Sequence, residues 1–512
     1  MDVFSLGSQT LTLDTVIDIA HGRQSLELCP NACQNIGRIR SKIEALLNPA
    51  APDVYGVNTG FGALAEVRVP MEDLATLQLN LIRSHSTGIG RPFDRSTTRA
   101  IMLLRANVLM LGTSGVRPCI PELLVNMLNT GVHPVIPEKG SVGASGDLAP
   151  LAHLALVLVG EGQAEYQGSI LPGREALKRA GLAPIVLAPK EGLALINGTQ
   201  AMTADGALVI ERMRNILRVA DIVGAASIQA LLGSRGPFDE RIHAMRAHPG
   251  QIHSARNMRT LLKDSEIIFS HRDCSKVQDP YSLRCIAQVH GASRDALTHV
   301  SDIVNRECHA ATDNPLVFAD ERGDIELISG GNFHGQPIAL AMDYLGIAIS
   351  EIGNISERRI EQLVNPALSS GLPAFLAPNS GLNSGFMIAQ VTAAALASEN
   401  KGLAHPASVD SIPSSANRED HVSMGTIAAR KARHIAEHVE YILAIELLCA
   451  CQAMSLRRPL KASPPIEAAI HLLRQSVPEM TEDRYLQPDI EASLHLIQSG
   501  ILADTVEAVL TS

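Results

Sequence analysis

A glycine-rich loop leads into an apolar segment at Gly140-Ser141-Val142-Gly143-Ala144-Ser145-Gly146-Asp147-Leu148-Ala149-Pro150. Ser145 stands there between two very small residues, Ala144 and Gly146, so the backbone around its hydroxyl has unusual freedom. Asp147 is a suitable N-cap and Pro150 is tolerated in a first helical turn. We therefore predict that a helix begins directly after the loop, with its positive dipole end against Ser145.

This loop could build a reactive group from its own backbone. A tight bend would bring the amide nitrogen of Gly146 onto the carbonyl carbon of Ala144 and close a five-membered ring. Loss of water from the ring, and of a second water from Ser145, would leave an exocyclic methylidene. That group is an electrophile, which no ordinary side chain supplies. The residues alone also allow an ordinary flexible loop before a helix.

Three other glycine-loop motifs do not fit the spacing. A phosphate-binding loop needs lysine after its last glycine, but Asp147 follows Gly146. A nucleophile elbow needs glycine two residues after the serine, and Ser145 has Asp147 there. A dinucleotide fingerprint needs a strand just upstream, and Pro134 and Pro137 are unfavourable for a buried strand.

Composition excludes several partner classes. The chain has 512 residues, 46% of them hydrophobic and 19% charged, which suits a globular protein with a large core and two or three domains. The net charge is −10, tryptophan is absent and aromatic residues make up 3%. Neither a basic stripe nor stacking platforms are present, so we expect no nucleic-acid partner.

The sequence favours a reducing compartment. The eight cysteines show no C-x-x-C spacing, which is typical of free thiols. The first residues lack the basic and apolar regions of a signal peptide, and the apolar run over 154–159 is too short to span a bilayer. We therefore expect a cytoplasmic protein that does not bind membranes.

Helical periodicity dominates the second half of the chain. Apolar residues recur at helical spacing over 341–352, and Pro337 marks the start of that helix. An alanine-dense run over 386–397 and a segment over 426–451 predict two more long helices. Small residues let helix backbones approach closely, so we expect the run over 386–397 to lie inside a long-helix bundle.

Strands are expected to be few and local. We predict a hairpin tip at 166–170 and a second hairpin over 318–325 that turns at Arg322-Gly323. The predicted fold class is mainly α. A loop-rich N-terminal domain over 1–200 carries the serine loop, and a long-helix bundle follows over 201–512.

Several polar residues could carry chemistry, although each also has an ordinary structural interpretation. Tyr55 stands in a glycine-punctuated loop, and Asn197 follows an apolar run. Arg284 could hold a carboxylate in a bidentate pair or form a structural salt bridge. His85 precedes a glycine turn. Glu419 lies in a charge-dense stretch of the kind that is often a solvated face.

One further motif resembles a metal site. Residues 434–438 read His-Ile-Ala-Glu-His, the inverted zinc-protease pattern, and His434 and His438 would share one helix face. Short matches of this kind arise by chance in long helical chains, and the neighbouring charges are typical of a solvated face. We therefore expect no metal there.

Four motifs together resemble the aromatic amino acid ammonia-lyases. They are Tyr55 with Asn58-Thr59-Gly60-Phe61-Gly62, Gly143-Ala144-Ser145-Gly146-Asp147, Asn197-Gly198-Thr199, and Gln278-Asp279-Pro280-Tyr281-Ser282-Leu283-Arg284. The similarity runs from about Leu11 to beyond residue 450. This family builds a 4-methylidene-imidazol-5-one (MIO) group from Ala-Ser-Gly. The resemblance therefore implies an MIO group at Ala144-Ser145-Gly146, with no metal required.

Within the family, the chain most resembles the members that act on L-histidine. The supporting motifs are Ser84-His85 with Gly88-Ile89-Gly90, Gly330-Gly331-Asn332-Phe333-His334, and Ser415-Ala416-Asn417 with Glu419-Asp420-His421-Val422-Ser423-Met424. The resemblance implies elimination of ammonia from L-histidine to give trans-urocanate. It also implies a mainly α fold of the fumarase/aspartase type and a homotetramer whose active sites are shared between subunits.

The resemblance also implies a role for each candidate residue. Attack of the substrate amine on the methylidene would make that amine a better leaving group. Tyr55 would take the proton from the substrate Cβ, which requires its pKa to be lowered from about 10. Arg284 would hold the substrate carboxylate, and Phe333 would close the pocket. His85 and Glu419 would suit the imidazole ring. The substrate and the MIO group would be oriented by Asn197, Gln278 and Tyr281.

Two departures from the family pattern keep other substrates open. Arg418 stands beside Glu419 where the family usually has glutamine. Arg418 could pair with Glu419 and so change which substrate ring the site selects. Ile286-Ala287 replaces a usual Gln-Pro. The alternatives are the same chemistry on L-tyrosine, L-phenylalanine or another amino acid, as a lyase or an aminomutase. A metal-dependent hydrolase or a catalytically inactive helical scaffold are alternatives from other classes.

Overall fold

Helices build most of the part of the chain that the computed structural model describes, namely residues 3–46, 53–54, 56–60, 64, 66–274, 276–320 and 324–511. The α-helices are α1 (Leu13–Ala20), α2 (Pro30–Leu46), α3 (Leu74–His85), α4 (Arg95–Met110), α5 (Cys119–Thr130), α6 (Leu148–Leu158), α7 (Gly173–Arg179), α8 (Glu191–Ile196), α9 (Gln200–Ala230), α10 (Glu240–Ala244), α11 (Pro249–Leu261), α12 (Glu266–Ser270), α13 (Tyr281–Arg284), α14 (Ile286–Glu307), α15 (Gln336–Val364), α16 (Met387–Leu403), α17 (Gly425–Ser455), α18 (Pro464–Arg474), α19 (Gln487–Gln498) and α20 (Ile501–Thr511).

The strands are short and form small separate sheets. They are β1 (Val3–Leu6), β2 (Ser25–Leu28), β3 (Ile89–Pro92), β4 (Val132–Pro134), β5 (Pro137–Lys139), β6 (Gln163–Tyr166), β7 (Ser169–Pro172), β8 (Leu316–Ala319) and β9 (Ile325–Ile328). β1 and β2 pair in parallel. The antiparallel pairings are β3 with β5, β4 with β6 and then β7, and β8 with β9. The mainly α class is therefore confirmed.

The predicted long helices are all present. α15 begins one residue before Pro337, α16 contains most of the alanine-dense run, and α17 extends past the predicted segment at both ends. α6 begins two residues after Gly146, as predicted for the helix that follows the serine loop. Within the described part of the chain, one helix, α15, is apolar and long enough to cross a membrane by composition, but 72% of its apolar window is buried within the protein.

Both predicted hairpins are present. Tyr166 pairs with Ser169 across a two-residue turn, and Gln167 and Gly168 in that turn both have positive φ, at 50° and 80°. Such a turn matches the twist of the strands it joins. Ala319 pairs with Ile325 in the second hairpin, whose predicted turn at Arg322-Gly323 lies outside the described residues.

The expectation of no buried strand upstream of the serine loop is wrong. All three residues of β4 are buried. Pro134 is tolerated because it is the last residue of β4, where it pairs with Ala164 of β6. Since β4 and β6 run antiparallel, this strand does not form the βαβ unit of a dinucleotide fold.

The chain divides by its contacts into two compact units. Unit 1 comprises Met1–Leu208, Ser301–Met342 and Pro406–Arg430. Unit 2 comprises Val209–Val300, Asp343–His405 and Lys431–Ser512. Unit 1 thus includes two later segments that the predicted division at residue 200 assigns to the helical bundle. That division stays a prediction.

Unit 2 has a long-helix core that closes around a buried ion pair. Arg359 of α15 donates to both carboxylate oxygens of Glu446 of α17, at 2.6 and 2.8 Å, and both side chains are fully buried. The hydroxyls of Ser227 and Ser356 donate to the same carboxylate. Every oxygen of this buried carboxylate is therefore satisfied, as burial of a charge requires.

The prediction that the alanine-dense helix lies inside the bundle is wrong for the single chain. In α16 only Ala389, Ala393 and Asn400 are buried, whereas Ile388 and Val391 are 65% and 50% exposed. Ala389 and Ala393 line the buried side of the helix, whereas Ala395 is exposed. The sequence pattern indicates a face of small residues but does not reveal whether other helices of the chain cover it.

Candidate active site

The serine loop presents one residue and buries its neighbours. Ala144 and Gly146 are buried, whereas Ser145 between them is partly exposed. Gly143 and Gly146 adopt left-handed φ values of 70° and 73°. Such values are readily available only to glycine, so these two residues produce the bend that projects the serine.

The segment around Gly198 fixes one side of the bend by backbone hydrogen bonds. Gly146 and Gly198 form an isolated parallel bridge. The amide of Gly198 donates to the carbonyl of Ser145 at 3.3 Å, and the amide of Asp147 donates to the carbonyl of Gly198 at 2.6 Å. A Cβ on residue 146 would lie only 2.0 Å from that carbonyl oxygen. The close approach therefore requires glycine.

The two residues just before α17 hold the other side of the bend. The amide of Met424 donates to the carbonyl of Val142 at 2.8 Å, and the hydroxyl of Ser423 donates to the carbonyl of Gly143 at 3.0 Å. A Cβ on residue 143 would lie 2.1 Å from the Ser423 oxygen. The loop is thus fixed on both sides by backbone and hydroxyl groups.

Asp147 does not cap α6, contrary to the sequence prediction. It occupies the N-cap position, but its side chain makes no capping hydrogen bond. One carboxylate oxygen instead accepts from the amide of Met202 at 2.8 Å, and the other accepts from the hydroxyls of Ser141 and Thr426. Complete burial raises the pKa of the Asp147 carboxyl, and these hydrogen bonds act in the opposite direction. Asp147 is therefore an anchor beneath the loop.

Ser145 opens onto a cavity of about 420 Å³ within unit 1. A cavity of this size is in the range of small-molecule sites. Apolar and polar side chains both line it. The lining residues are Leu64, Leu81, His85, Ser145, Leu148, Leu193, Ile196, Asn197, Asn314, Phe333, Ser415, Ala416 and Glu419. The structure thus brings five of the candidate site residues together at one cavity: Ser145, His85, Asn197, Phe333 and Glu419.

Glu419 contacts the serine directly. The hydroxyl of Ser145 donates to Oε1 of Glu419 at 2.8 Å, and the hydroxyl of Ser414 donates to Oε2 at 2.6 Å. The backbones of Ser414 and Glu419 also pair, with N–O distances of 2.9 and 3.3 Å. Both oxygens of the carboxylate are therefore held in place at the cavity wall.

The turn that carries Glu419 is strained. Ser415, Ala416 and Asn417 have consecutive left-handed φ values of 49°, 52° and 70°. This region is unfavourable for residues with a Cβ and persists where surrounding structure imposes it. Ser415 and Ala416 both line the cavity, so the strain lies at the site itself.

His85 lines the cavity with one ring nitrogen already engaged. Its Nδ1 lies 2.9 Å from the carbonyl oxygen of Leu81, one turn earlier in α3. In the neutral ring, Nδ1 then carries the proton and donates to that carbonyl, which leaves Nε2 as an acceptor. The site therefore offers two acceptors for ring N–H groups, His85 and Glu419.

Asn197 is held by its backbone and its amide nitrogen. Arg105 donates to the carbonyl of Asn197 at 2.6 Å, and Nδ2 of Asn197 donates to the carbonyl of Asn314 at 3.2 Å. Complete burial lowers the pKa of Arg105 to about 10, and the charge of Asp313 acts in the opposite direction. Oδ1 of Asn197 is buried and has no hydrogen-bond partner within the described chain. A buried oxygen of this kind in a cavity wall is available to a ligand or an internal group.

The residues present fit an MIO group. The amide nitrogen of Gly146, which would close the ring, has no hydrogen-bond acceptor among the described residues. The bend that the ring requires is already imposed by Gly143 and Gly146. The Ser145 hydroxyl faces a hydrogen-bonded carboxylate and open space. The loop therefore has the bend, the free amide and the adjacent space that this group requires.

Three predicted site residues lie elsewhere. Gln278, Tyr281 and Arg284 belong to unit 2 and do not line the cavity of unit 1. Gln278 is exposed, Tyr281 is 71% exposed, and the Arg284 guanidinium stacks on the Tyr281 ring at 4.5 Å. Tyr55 lies outside the described residues.

Arg418 does not form the pair with Glu419 that its place in the sequence allowed. Nη2 of Arg418 lies 3.7 Å from Oε1 of Glu66, and both side chains are largely exposed. Glu419 points instead to Ser145 and Ser414. Adjacent residues in a tight turn project in different directions, which the sequence spacing alone does not reveal.

The sequence interpretation missed two polar contributors. Ser414 holds the Glu419 carboxylate, and Asn314 both lines the cavity and binds Asn197. Ser414 stands in the run Ser411-Ile412-Pro413-Ser414, whose composition is typical of an ordinary loop. Asn314 lies in the run Asp313-Asn314-Pro315, whose turn-forming composition was the one available signal.

The two histidines of the zinc-like motif have protein partners in unit 2. Nδ1 of His434 lies 3.3 Å from Oε2 of Glu437, and Nδ1 of His438 lies 2.8 Å from Oδ1 of Asn400. Glu437 also accepts from Arg212 at 3.2 Å. These contacts are those of a structural ion-pair network on helix surfaces.

Comparison with known proteins agrees with this geometry. The chain matches the aromatic amino acid lyase family over residues 11–475. It is 56% identical over 501 residues to a histidine ammonia-lyase from Sorangium cellulosum (strain So ce56), covering 97% of this chain and 98% of that protein. The crystal structure of histidine ammonia-lyase from Trypanosoma cruzi has a TM-score of 0.90 at 45% identity, covering 99% of this chain and 95% of that one. A tyrosine aminomutase from Streptomyces globisporus has a TM-score of 0.92 at 38% identity, covering 99% of each chain. The chain therefore belongs to the aromatic amino acid lyase family.

Proposed function

We propose that this enzyme eliminates ammonia from L-histidine to give trans-urocanate, using an MIO group formed from Ala144-Ser145-Gly146. One observation carries the proposal. Ser145 lies in a bend whose backbone is suited to close into the MIO ring, and it lines the same cavity as His85 and Glu419. Both of these side chains are acceptors suited to an imidazole ring. The relatives named histidine ammonia-lyase support the same substrate.

The MIO group would supply an electrophile for the substrate amine, which is otherwise a poor leaving group. The chain's own residues would do the rest. Asn197 has a free buried Oδ1 in the cavity wall, suited to orient the substrate and the ring. Phe333 is an apolar part of the same wall and would help exclude water.

Recognition of the imidazole would rest on two fixed acceptors. A Glu419 oxygen can accept a ring N–H, and its position is set by Ser414. Nε2 of His85 can accept a second N–H when the substrate ring is protonated, because Nδ1 is engaged by Leu81. A phenyl ring offers no donor, and a phenol offers one O–H where a protonated imidazole offers two N–H groups, so each would leave at least one of these acceptors without a partner. A site built to hydrogen-bond a substrate N–H discriminates against a ring that lacks one.

We further propose that neighbouring subunits of a homotetramer complete the site with Gln278, Tyr281 and Arg284. The exposed Tyr281 would orient the substrate and Arg284 would hold its carboxylate. Tyr55 would take the Cβ proton.

Two exposed apolar faces support assembly of subunits. Tyr344 and Ile347 of α15 are 47% and 42% exposed, and Ile388 and Val391 lie exposed on α16. Exposed apolar residues on neighbouring helical turns are typical of surfaces that a second chain covers.

We propose no metal cofactor, because the MIO group itself would be the electrophile. The partners would be the amino acid substrate and further copies of this chain, without nucleic acid or membrane. The eight cysteines are free thiols, which supports a reducing compartment, and we infer a cytoplasmic location.

The test is a continuous ultraviolet assay of purified protein with L-histidine, paired with ammonia determination. Absorbance of a conjugated imidazole acrylate should rise in step with ammonia. Ser145→Ala should keep its helical content and lose this activity. L-Tyrosine and L-phenylalanine are the competing substrates, and analysis for β-amino acid products detects an aminomutase. A flat trace with L-histidine and turnover of another amino acid would overturn the substrate assignment.

A further inference from the structure

We propose that Glu419 acts in the maturation of the enzyme, as the group that moves the proton when Ser145 loses water. This inference rests on the proposed function, since it assumes that the MIO group forms. It assigns Glu419 a role before any substrate arrives, in a reaction of the chain on itself.

The first observation is the contact with the uncyclised serine. The Ser145 hydroxyl, which must leave during maturation, donates to Oε1 of Glu419 at 2.8 Å. No substrate is needed for this contact. A general acid or base must lie within hydrogen-bond reach of the atom that gains or loses the proton, and Glu419 meets this requirement.

The second observation is that the carboxylate is held for this contact. Ser414 donates to Oε2 at 2.6 Å, so the second oxygen is fixed while Oε1 faces Ser145. The paired backbones of Ser414 and Glu419 close the strained turn over residues 415–417. Fixed rotamers and stored backbone strain are typical of a positioned functional group.

The third observation concerns the other carboxylate beside the loop. Asp147 is fully buried, and its two oxygens are occupied by Met202, Ser141 and Thr426. It makes no hydrogen bond to the Ser145 hydroxyl. Among the described residues, Glu419 is therefore the carboxylate placed to exchange a proton with that oxygen.

The step balances without a co-reactant. Ring closure between Gly146 and Ala144, with loss of the first water, makes the Cα proton of Ser145 more acidic. The Glu419 carboxylate takes that proton, and the electron pair of the Cα–H bond becomes the Cα=Cβ bond. The Cβ–Oγ bond breaks with its electrons on Oγ. Glu419 returns a proton to Oγ, so that water leaves and the carboxylate is restored.

The test is the mass of the proteolytic peptide that spans residue 145, measured in newly synthesised chains over time. Glu419→Gln keeps the volume and hydrogen-bonding ability of the side chain but cannot carry the proton. Asp420→Asn is the matched control, because it removes the adjacent, exposed carboxylate. Circular dichroism and gel filtration establish that each variant folds.

We expect wild type and Asp420→Asn to lose two water masses, and Glu419→Gln to accumulate at one. Loss of two waters by Glu419→Gln at the wild-type rate would overturn the proposal, even if that variant were inactive with L-histidine. Loss of no water would also overturn it, because Glu419 would then be needed for ring closure. If the wild-type peptide showed no loss of water mass, the proposed function would be contradicted as well.

A second variant covers the case in which Glu419→Gln does not fold. Glu419→Asp keeps an acid but withdraws it by one methylene from Ser145. It should reach the two-water loss more slowly than Asp420→Asn. Equal rates would contradict proton transfer by a positioned carboxylate, whereas a merely structural role predicts no intermediate at one water mass.

Discussion

The carbonyl oxygen of Gly198 fills the space that a side chain on residue 146 would need. A Cβ added to Gly146 would lie 2.0 Å from that oxygen, and Gly146 also has a φ of 73°. The bend at Ser145 is therefore imposed by two glycine backbones in contact, rather than by the sequence of the loop alone.

We expect Gly146→Ala to lose the two-water mass change and to destabilise the chain by well over about 2 kcal/mol, since steric clash adds to left-handed strain. Gly131→Ala is the control, because Gly131 has a φ of 80° and open space around it. That variant should cost only about 1–2 kcal/mol and mature normally. Urea unfolding and peptide mass measure both effects. Equal behaviour of the two variants would contradict the role of the Gly198 contact.

Arg418 should matter little for catalysis. Its pairing with Glu66 is long and exposed, and such pairs contribute about 0–1 kcal/mol. We expect Arg418→Gln to change kcat/KM for L-histidine by less than about threefold, while Glu419→Gln lowers it by about 100-fold or more. Steady-state kinetics of both variants provide the check. A large loss in Arg418→Gln would show that the arginine reaches the substrate.

Complementation should reveal sites shared between subunits. Ser145→Ala and Arg284→Met should each be inactive alone, because one lacks the electrophile and the other the proposed carboxylate anchor. When the two chains are co-expressed with different tags and purified as mixed oligomers, some sites combine intact Ser145 with intact Arg284 from different chains. We expect activity to return in that mixture. Persistently inactive mixed oligomers would place both residues of a site in one chain.

The free energy of unfolding should fall as the pH is lowered through the range in which histidine side chains titrate, in part because of His153. Burial lowers the pKa of His153 below its ordinary 6.5, and Nε2 accepts from the amide of Gly88 at 3.1 Å. The folded state therefore favours the neutral ring. The stabilising contribution of His153 is complete above the pKa that its ring has in the unfolded chain. It is lost as the pH falls through the lower pKa of the folded state.

His153→Gln keeps an acceptor for Gly88 but cannot titrate. We expect the difference in thermal midpoint between pH 7.5 and about pH 5.5 to be smaller in this variant than in wild type. The other histidines titrate in both proteins and cancel in the comparison. An identical pH dependence would show that His153 is not among the groups responsible.

Breaking the buried Arg359–Glu446 pair of unit 2 should lower the free energy of unfolding strongly, whereas replacing both residues with apolar ones should lower it little. Glu446→Gln leaves Arg359 buried with reduced compensation, and we expect a loss of about 3–5 kcal/mol in the free energy of unfolding. The double variant Arg359→Met with Glu446→Leu should recover most of that loss. Glu467→Gln, at the partly exposed pair with Arg458, serves as control and should cost less than about 1 kcal/mol. A double variant as unstable as Glu446→Gln would contradict this account.

The sequence predicted the local structure of the site better than its assembly. The positions of α6, α15 and α17 follow from apolar periodicity and, for α6 and α15, from Pro150 and Pro337 near the helix starts, signals that act over a few turns. The helix positions are local because each depends on neighbours along the chain. Ser145 and Glu419, which line one cavity, are 274 residues apart, and the family resemblance rather than local pattern pointed to both.

What the sequence did not reveal depends on contacts between distant segments. Asp147 looks like a helix cap, yet Met202 and Thr426 direct its side chain elsewhere. The alanine-dense face of α16 looks like a bundle interior, yet Ile388 is exposed in one chain. Neither outcome can be read from spacing, because the partner atoms come from other parts of the fold.

The supports of the serine bend have a consequence for biosynthesis. Ser423 lies 280 residues after Gly143, the residue whose carbonyl it holds. A chain emerging from the ribosome exposes its serine loop long before that support exists, so the proposed cyclisation would wait until Ser423 has been made and has folded onto the loop. The proposed electrophile would thereby be kept out of the nascent chain. It would arise inside a finished pocket, where the amines and thiols of the translation machinery cannot reach it.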